Sequence, residues 1–149
     1  MLPSNIECLR VFGRWSLLLA TLSNSKLGSV AWQTQSVAAV GRVLCDHKPQ
    51  ANVLIQLKER DDAPDEDDFI DELHSDMAGA FHVRGTVAEL TVIEPYLVIH
   101  CSPLKGCGTR RTAIAIPVSY VRSAIRPQQR TFILGSVEMT VLFPGTFCQ

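Results

Sequence analysis

The chain has 149 residues, a formal net charge of −1 and 46% hydrophobic residues, which allows one packed domain and excludes a wholly disordered chain. A sequence pI near 6.4 argues against a nucleic-acid binder that depends on a basic face. The unbroken apolar runs are too short to span a bilayer as a helix. Five cysteines is an odd count for a secreted disulfide protein.

The N-terminal segment has the order of a secretory signal: Arg10 and Arg14, then the apolar stretch Trp15 to Leu22, then small and polar residues to Ala31. Ser29 and Ala31 occupy the two positions a signal peptidase reads. The expectation is a signal peptide over 1–31 and a domain over 35–149. The competing reading is an amphipathic first helix.

After residue 32, helical periodicity is scarce and alternation is frequent. Residues 37–45 are rich in β-branched side chains and end at the turn cluster Asp46-His47-Lys48-Pro49. In 52–58, Val53, Ile55 and Leu57 share one face, the period-two mark of a half-buried strand. Residues 69–74 alternate less cleanly, and 80–87 place Phe81, Val83 and Gly85 on one side. Residues 96–101, 112–116, 131–137 and 138–142 read as further strands. Seven to eight short strands between turn signals predict an all-β sandwich or barrel. Residues 117–126 do not sustain a helical face.

Nine of the 15 acids fall between Glu59 and Glu72. That density suits an exposed loop, with weak binding of calcium or a basic partner as the functional alternative; EF-hand spacing is absent. His47, His74, His82 and His100 lack zinc-ligand spacing, although His74 and His82 flank a hairpin. No nucleophile elbow, cysteine-protease signature or phosphate-cradling glycine motif occurs, so no catalytic residue, metal or cofactor is assigned. Cys107, between glycines and before Arg110 and Arg111, suits half of a disulfide better than a reactive thiol. Lys105, Arg110, Arg111, Arg122, Arg126 and Arg130 concentrate in the second half, which makes a basic binding face for anionic headgroups or an acidic protein surface the candidate site.

An ordered series of segments resembles the nematode transthyretin-like family. It begins with Gly41-Arg42-Val43-Leu44-Cys45, Pro49 and Asn52-Val53-Leu54-Ile55-Gln56-Leu57. It continues through Asp65-Glu66-Asp67-Asp68-Phe69-Ile70-Asp71, Ser75-Asp76-Met77-Ala78-Gly79-Ala80-Phe81, Glu89 to Pro95 and Leu97-Val98-Ile99-His100-Cys101. Ile116-Pro117-Val118-Ser119-Tyr120 and Phe143-Pro144-Gly145 to Cys148 complete it. Within the hairpin piece, Asp76 is suited to cap the turn, Gly79 to take positive φ and Phe81 to re-enter the core.

The resemblance implies a secreted prealbumin-like β-sandwich of two antiparallel sheets, usually non-enzymatic. The chain departs from the family in His100-Cys101, which lacks the usual spacer residue, and in Pro144-Gly145-Thr146, where the family has a glutamate. The C-terminal tetrapeptide of the related hydroxyisourate hydrolases is missing, so that activity is not expected, nor is thyroxine carriage. The expected function is an extracellular binding module for a lipid, a small apolar ligand or a cell-surface protein, without nucleic-acid partners; a structural or adhesion domain is the alternative. Removal of Cys8 with the signal leaves four cysteines, which can pair in three ways. The expected pairs are Cys101–Cys107, closing a short loop, and Cys45–Cys148, tying the first strand to the tail.

Overall fold

A computed structural model describes residues 31–61, 66–101, 107–123 and 130–148. The expected signal segment therefore lies outside the described residues apart from Ala31.

The long first strand, β1 (Gln33–Cys45), alternates as its sequence requires: Gln35, Val37, Ala39, Val43 and Cys45 are buried on one face. A two-residue turn at Asp46 and His47, both with positive φ, returns the chain to β2 (Lys48–Pro49). Strand β3 (Leu54–Glu59) buries Ile55, Leu57 and Glu59, and β4 (Phe69–His74) pairs with it. Strand β5 (Ala80–Glu89) buries Phe81 and Val83 on its inward face. Strands β6 (Pro95–His100) and β7 (Arg111–Ala115) follow, then a 3-10 turn (Val118–Tyr120), β8 (Arg122–Ser123), β9 (Thr131–Glu138) and one helical turn, α1 (Met139–Leu142).

Two sheets form. In the first, β1 is central: β5 and β2 lie along one edge, and β8 and β9 along the other. The second has the order β4-β3-β6-β7, entirely antiparallel. Inward aliphatic side chains from both, including Val37, Val43, Ile55, Leu57, Val83, Leu97 and Ile99, make one continuous core. The sheets also meet at an edge, where Ile70 of β4 lies against Gly85 of β5 and the Arg84 amide donates to Asp71 Oδ2 at 3.0 Å.

The two-sheet β-sandwich agrees with the sequence reading, with two corrections. Strand β9 runs parallel to β1 rather than antiparallel, with an irregularity between Val40 and Gly41. It passes Leu134 unpaired and turns through Gly135 at φ +80°. Residues 139–142 form a helical turn instead of a strand, because Met139 plugs fully into the core and the Phe143 amide closes back onto the Met139 carbonyl at 2.8 Å.

Two disulfides tie down the last described segment and the connection after β6. Cys45 is disulfide-bonded to Cys148 and Cys101 to Cys107. Arg110 adds a clamp: Nε donates to the Cys107 carbonyl at 3.0 Å, and its terminal nitrogens donate to the Pro144 carbonyl at 2.8 Å and Thr146 Oγ1 at 3.0 Å. The Ser75-to-Phe81 hairpin forms as its residues suggest. Asp76 Oδ1 accepts the Ala78 and Ala80 amides at 2.8 Å each, and Gly79 sits at φ +72°.

Candidate functional site on the outer face of the second sheet

Alternation on β3 and β6 sends Gln56, Lys58, Tyr96, Val98 and His100 to the solvent side of the second sheet. The register places Lys58 beside Tyr96, Gln56 beside Val98, and His100 beside Arg111 of β7. Tyr96 and Val98 are nonetheless buried. They line a depression of about 640 Å³ around which Lys58, Arg60, Arg111, Glu66 and Asp67 are also arranged.

The depression has fixed walls. The Glu59 amide donates to the Asp68 carbonyl at 2.9 Å, and Asp61 exchanges amide–carboxylate bonds with Asp67 and Asp68. The Tyr96 hydroxyl donates to Asp67, which holds that carboxyl below its ordinary range, while burial and Asp67 push Tyr96 up to about 12. The Arg60 guanidinium lies 5.7 Å from the Tyr96 ring centre. Gln56 bridges two strands, its Nε2 donating to Glu72 at 3.0 Å and its Oε1 meeting His100 Nε2 at 2.9 Å. Burial, reinforced by Arg111, lowers the His100 pKa and favours the neutral imidazole. A smaller depression of about 300 Å³ continues the same face past His74, His100 and Arg110. Such a surface can bind: three cations and two carboxylates ring an aromatic floor, and the tyrosine hydroxyl is already engaged.

The basic residues singled out from the sequence are distributed. Arg111 lines the groove, and Arg110 holds the tail. Arg122 belongs to β8 of the first sheet, and Arg130 lies 5.8 Å from the Tyr120 ring in front of β9. Lys105 and Arg126 lie outside the described residues. The groove instead adds Lys58 and Arg60, which the sequence reading passed over. The available signal was the run Tyr96-Leu97-Val98-Ile99, apolar on both faces of a strand in a sheet expected to face water on one side.

The acidic segment is likewise divided. Glu59 is buried on the inward face of β3, residues 66–68 fold back beside it, and Phe69 onward is strand β4; residues 62–65 lie outside the described residues. His82 belongs to β5 of the first sheet, whereas His74 lies near the groove. Cys45, Cys148 and Glu138 lie close enough together to suggest a metal site, but the disulfide consumes both sulfurs.

The two sheets make a prealbumin-like β-sandwich with a polar groove on the outer face of the second. The transthyretin-like family (TTR-52) matches residues 40–117. Among curated proteins of Caenorhabditis elegans, transthyretin-like protein 46 is 38% identical over 77% of this chain and 65% of its own length. Transthyretin-like protein 33 is 37% identical over 78% of this chain and 82% of its own, and transthyretin-like protein 1 is 32% identical over 84% of each. The chain belongs to the nematode transthyretin-like family. Membership supports a non-enzymatic role in binding or structure. A 9R-lipoxygenase structure from Cyanothece aligns at a TM-score of 0.37 and 16% identity, over 69% of this chain and 16% of its own; a likeness that low carries no argument. Among the described residues, no helix is long and apolar enough to cross a membrane.

Proposed function

We propose that the protein is a secreted binding module that recognises an acidic segment of an extracellular or cell-surface protein through the groove on its second sheet. The observation that carries this reading is the grouping of Lys58, Arg60 and Arg111 around a buried tyrosine floor. The sandwich interior is filled by aliphatic side chains, which favours surface recognition over enclosure of a small apolar ligand. Two disulfides suit an oxidising, extracellular setting, as does a leader over 1–31 followed by a domain over 35–149.

Calorimetric titration of the disulfide-bonded protein with Glu/Asp-rich peptides tests the reading. Saturable, salt-sensitive binding that falls at least about tenfold in a K58A/R111A variant is expected, the loss of two charge-assisted contacts. Equal binding by that variant overturns the groove assignment. Binding to anionic vesicles but not to any peptide transfers the site to a lipid headgroup.

A structural or adhesion role has its own supporting observation. Strand β7 ends the second sheet and pairs only with β6 among the described residues, so its outer edge is open to a further strand. Light scattering across a wide concentration range separates this reading: a constant monomer mass removes self-association through that edge.

A further inference from the structure

The inward faces of the two sheets meet at one end of the sandwich in carboxylates instead of aliphatic groups. Alternation along β3 runs Ile55, Leu57, Glu59, so Glu59 takes a core-facing position at the strand's end. On β5 the inward series Phe81, Val83, Gly85, Val87 ends at Glu89. Asp61 approaches from beyond β3, and one carboxylate oxygen from each of the three lies within 4.8 Å of the others. Three like charges that close are mutually destabilising unless a proton or cation intervenes.

A second observation separates this cluster from an ordinary acidic surface. Four polar side chains are buried among the described residues: Gln35, Glu59, Ser75 and Thr146. Gln35 donates to the Thr91 carbonyl and accepts the Ile93 amide; Ser75 donates to the Gln50 carbonyl and accepts the Val53 amide; Thr146 accepts from Arg110. Glu59 is only 4% exposed, yet its Oε2 is buried without a hydrogen-bond partner. An orphaned carboxylate oxygen in that position is costly, and while all three groups are ionised the other two carboxylates add to the repulsion.

The space beside them suits a hydrated ion. A depression of about 300 Å³ is lined by four carboxylate residues, Glu59, Asp61, Glu89 and Glu94, against one cation, Arg60, whose guanidinium is also stacked near the Tyr96 ring, and Gln35 fixes the backbone of this connection at Thr91 and Ile93. The three candidate ligands are all carboxylate oxygens, drawn from several chain segments and open to water, a set that matches a hard divalent cation of calcium's size better than a soft metal.

We propose that Glu59, Asp61 and Glu89 form a calcium site that bridges the ends of the two sheets. The ion replaces the missing partner of Glu59 Oε2 and neutralises Asp61 and Glu89. Because the three ligands come from both sheets, occupancy fastens that end of the sandwich.

The test uses the full disulfide-bonded protein, freed of metal with chelator and titrated with calcium chloride at pH 7.5. A dissociation constant in the range of about 10⁻⁵ to 10⁻³ M and a rise in Tm of several degrees are expected, with magnesium much weaker. E89Q and D61N should each weaken binding at least about tenfold, while D46N, which removes an exposed charge at the turn between β1 and β2, should leave it unchanged. E59Q should abolish the calcium response while remaining folded, since a neutral amide suits its buried position. Absence of heat and of any Tm shift at about 10 mM calcium, far above the range for extracellular modules, overturns the site. Equal weakening by D46N, or undiminished binding in both E89Q and D61N, overturns it as well.

Discussion

Phe81 on β5 lies directly across from Gly41 on β1, and its ring fills the volume that any side chain at position 41 would need. A Cβ built on Gly41 would stand 2.6 Å from Phe81 Cζ and 3.2 Å from the Gly135 carbonyl oxygen. Position 41 is thus squeezed between an aromatic ring and the irregular part of β9. G41V should cost about 1–3 kcal/mol, the range for forcing extra volume into a packed interior. Urea unfolding under oxidising conditions measures it. G41A combined with F81L should be less destabilised than the sum of the single changes, because the smaller residue at 81 vacates the contested volume.

The two disulfides should differ in weight. Cys45–Cys148 spans 103 residues and Cys101–Cys107 only 6. Chain entropy assigns about 4.7 kcal/mol to the first and about 2 kcal/mol to the second. C45S/C148S should therefore lower the denaturation midpoint roughly twice as far as C101S/C107S, as chemical denaturation will show.

Arg110 joins the turn after Cys107 to the tail through three hydrogen-bond acceptors, and its guanidinium lies 5.7 Å from the Phe143 ring centre. R110K keeps the charge but not the planar fork. Both R110A and R110K should accelerate amide exchange across 143–148, with R110A destabilising the domain by about 1–3 kcal/mol, the range for a charge-assisted bond. Hydrogen-exchange mass spectrometry resolves this against β6, which should stay protected.

The turn between β1 and β2 places Asp46 at φ 53° and His47 at φ 60°, a conformation in which glycine is unstrained. Glu138 secures it, accepting the Asp46 and His47 amides at 2.7 and 3.1 Å. Burial tends to raise the Glu138 pKa, but those amides outweigh it and hold the group below its ordinary range. H47G should raise stability by up to about 1 kcal/mol, the relief of left-handed strain less the extra backbone entropy of glycine, whereas E138Q should lower it at neutral pH. Thermal melts of the two variants read both effects.

Glu59 gives the stability a pH dependence of definite sign. Its pKa in the folded protein is about 7 against an ordinary value of 4.5, so the folded state holds the proton more tightly. The stabilisation is complete below about pH 4.5 and is lost as pH rises through about 7. Without divalent cations, Tm should fall between pH 5 and pH 8, and E59Q should flatten that fall.

Much of the sandwich was legible because burial imposes alternation: Val53, Ile55 and Leu57, or Phe81 and Val83, point inward as their spacing requires. Direction was not legible, since a period of two is the same whether a strand runs up or down. That is why the parallel course of β9 went unread. Residues 139–142 carry β-forming side chains but yield to the burial of Met139, a tertiary demand that local propensity does not encode. Charge misdirected the reading of Glu59. It continues the inward alternation of Ile55 and Leu57, yet its acidic neighbours suggested a solvated loop. The groove was missed for a related reason: Lys58 stands before the acidic run and Arg60 inside it, and neither was grouped with Arg111, which is brought near them only by folding.

The parallel pairing of β9 with β1 has a consequence for synthesis. One edge of β1, from Ala38 to Leu44, has its partner only in Thr131–Glu138, with most of the domain's chain between them. While a nascent chain waits for β9, that stretch stays unzipped and open to pairing with another molecule. Closure of the sheet is then a late, long-range event, and Cys148 reaches Cys45 only beyond it in the chain. Oxidation at that pair would mark completed molecules, giving an oxidative folding pathway a checkpoint at the end of assembly.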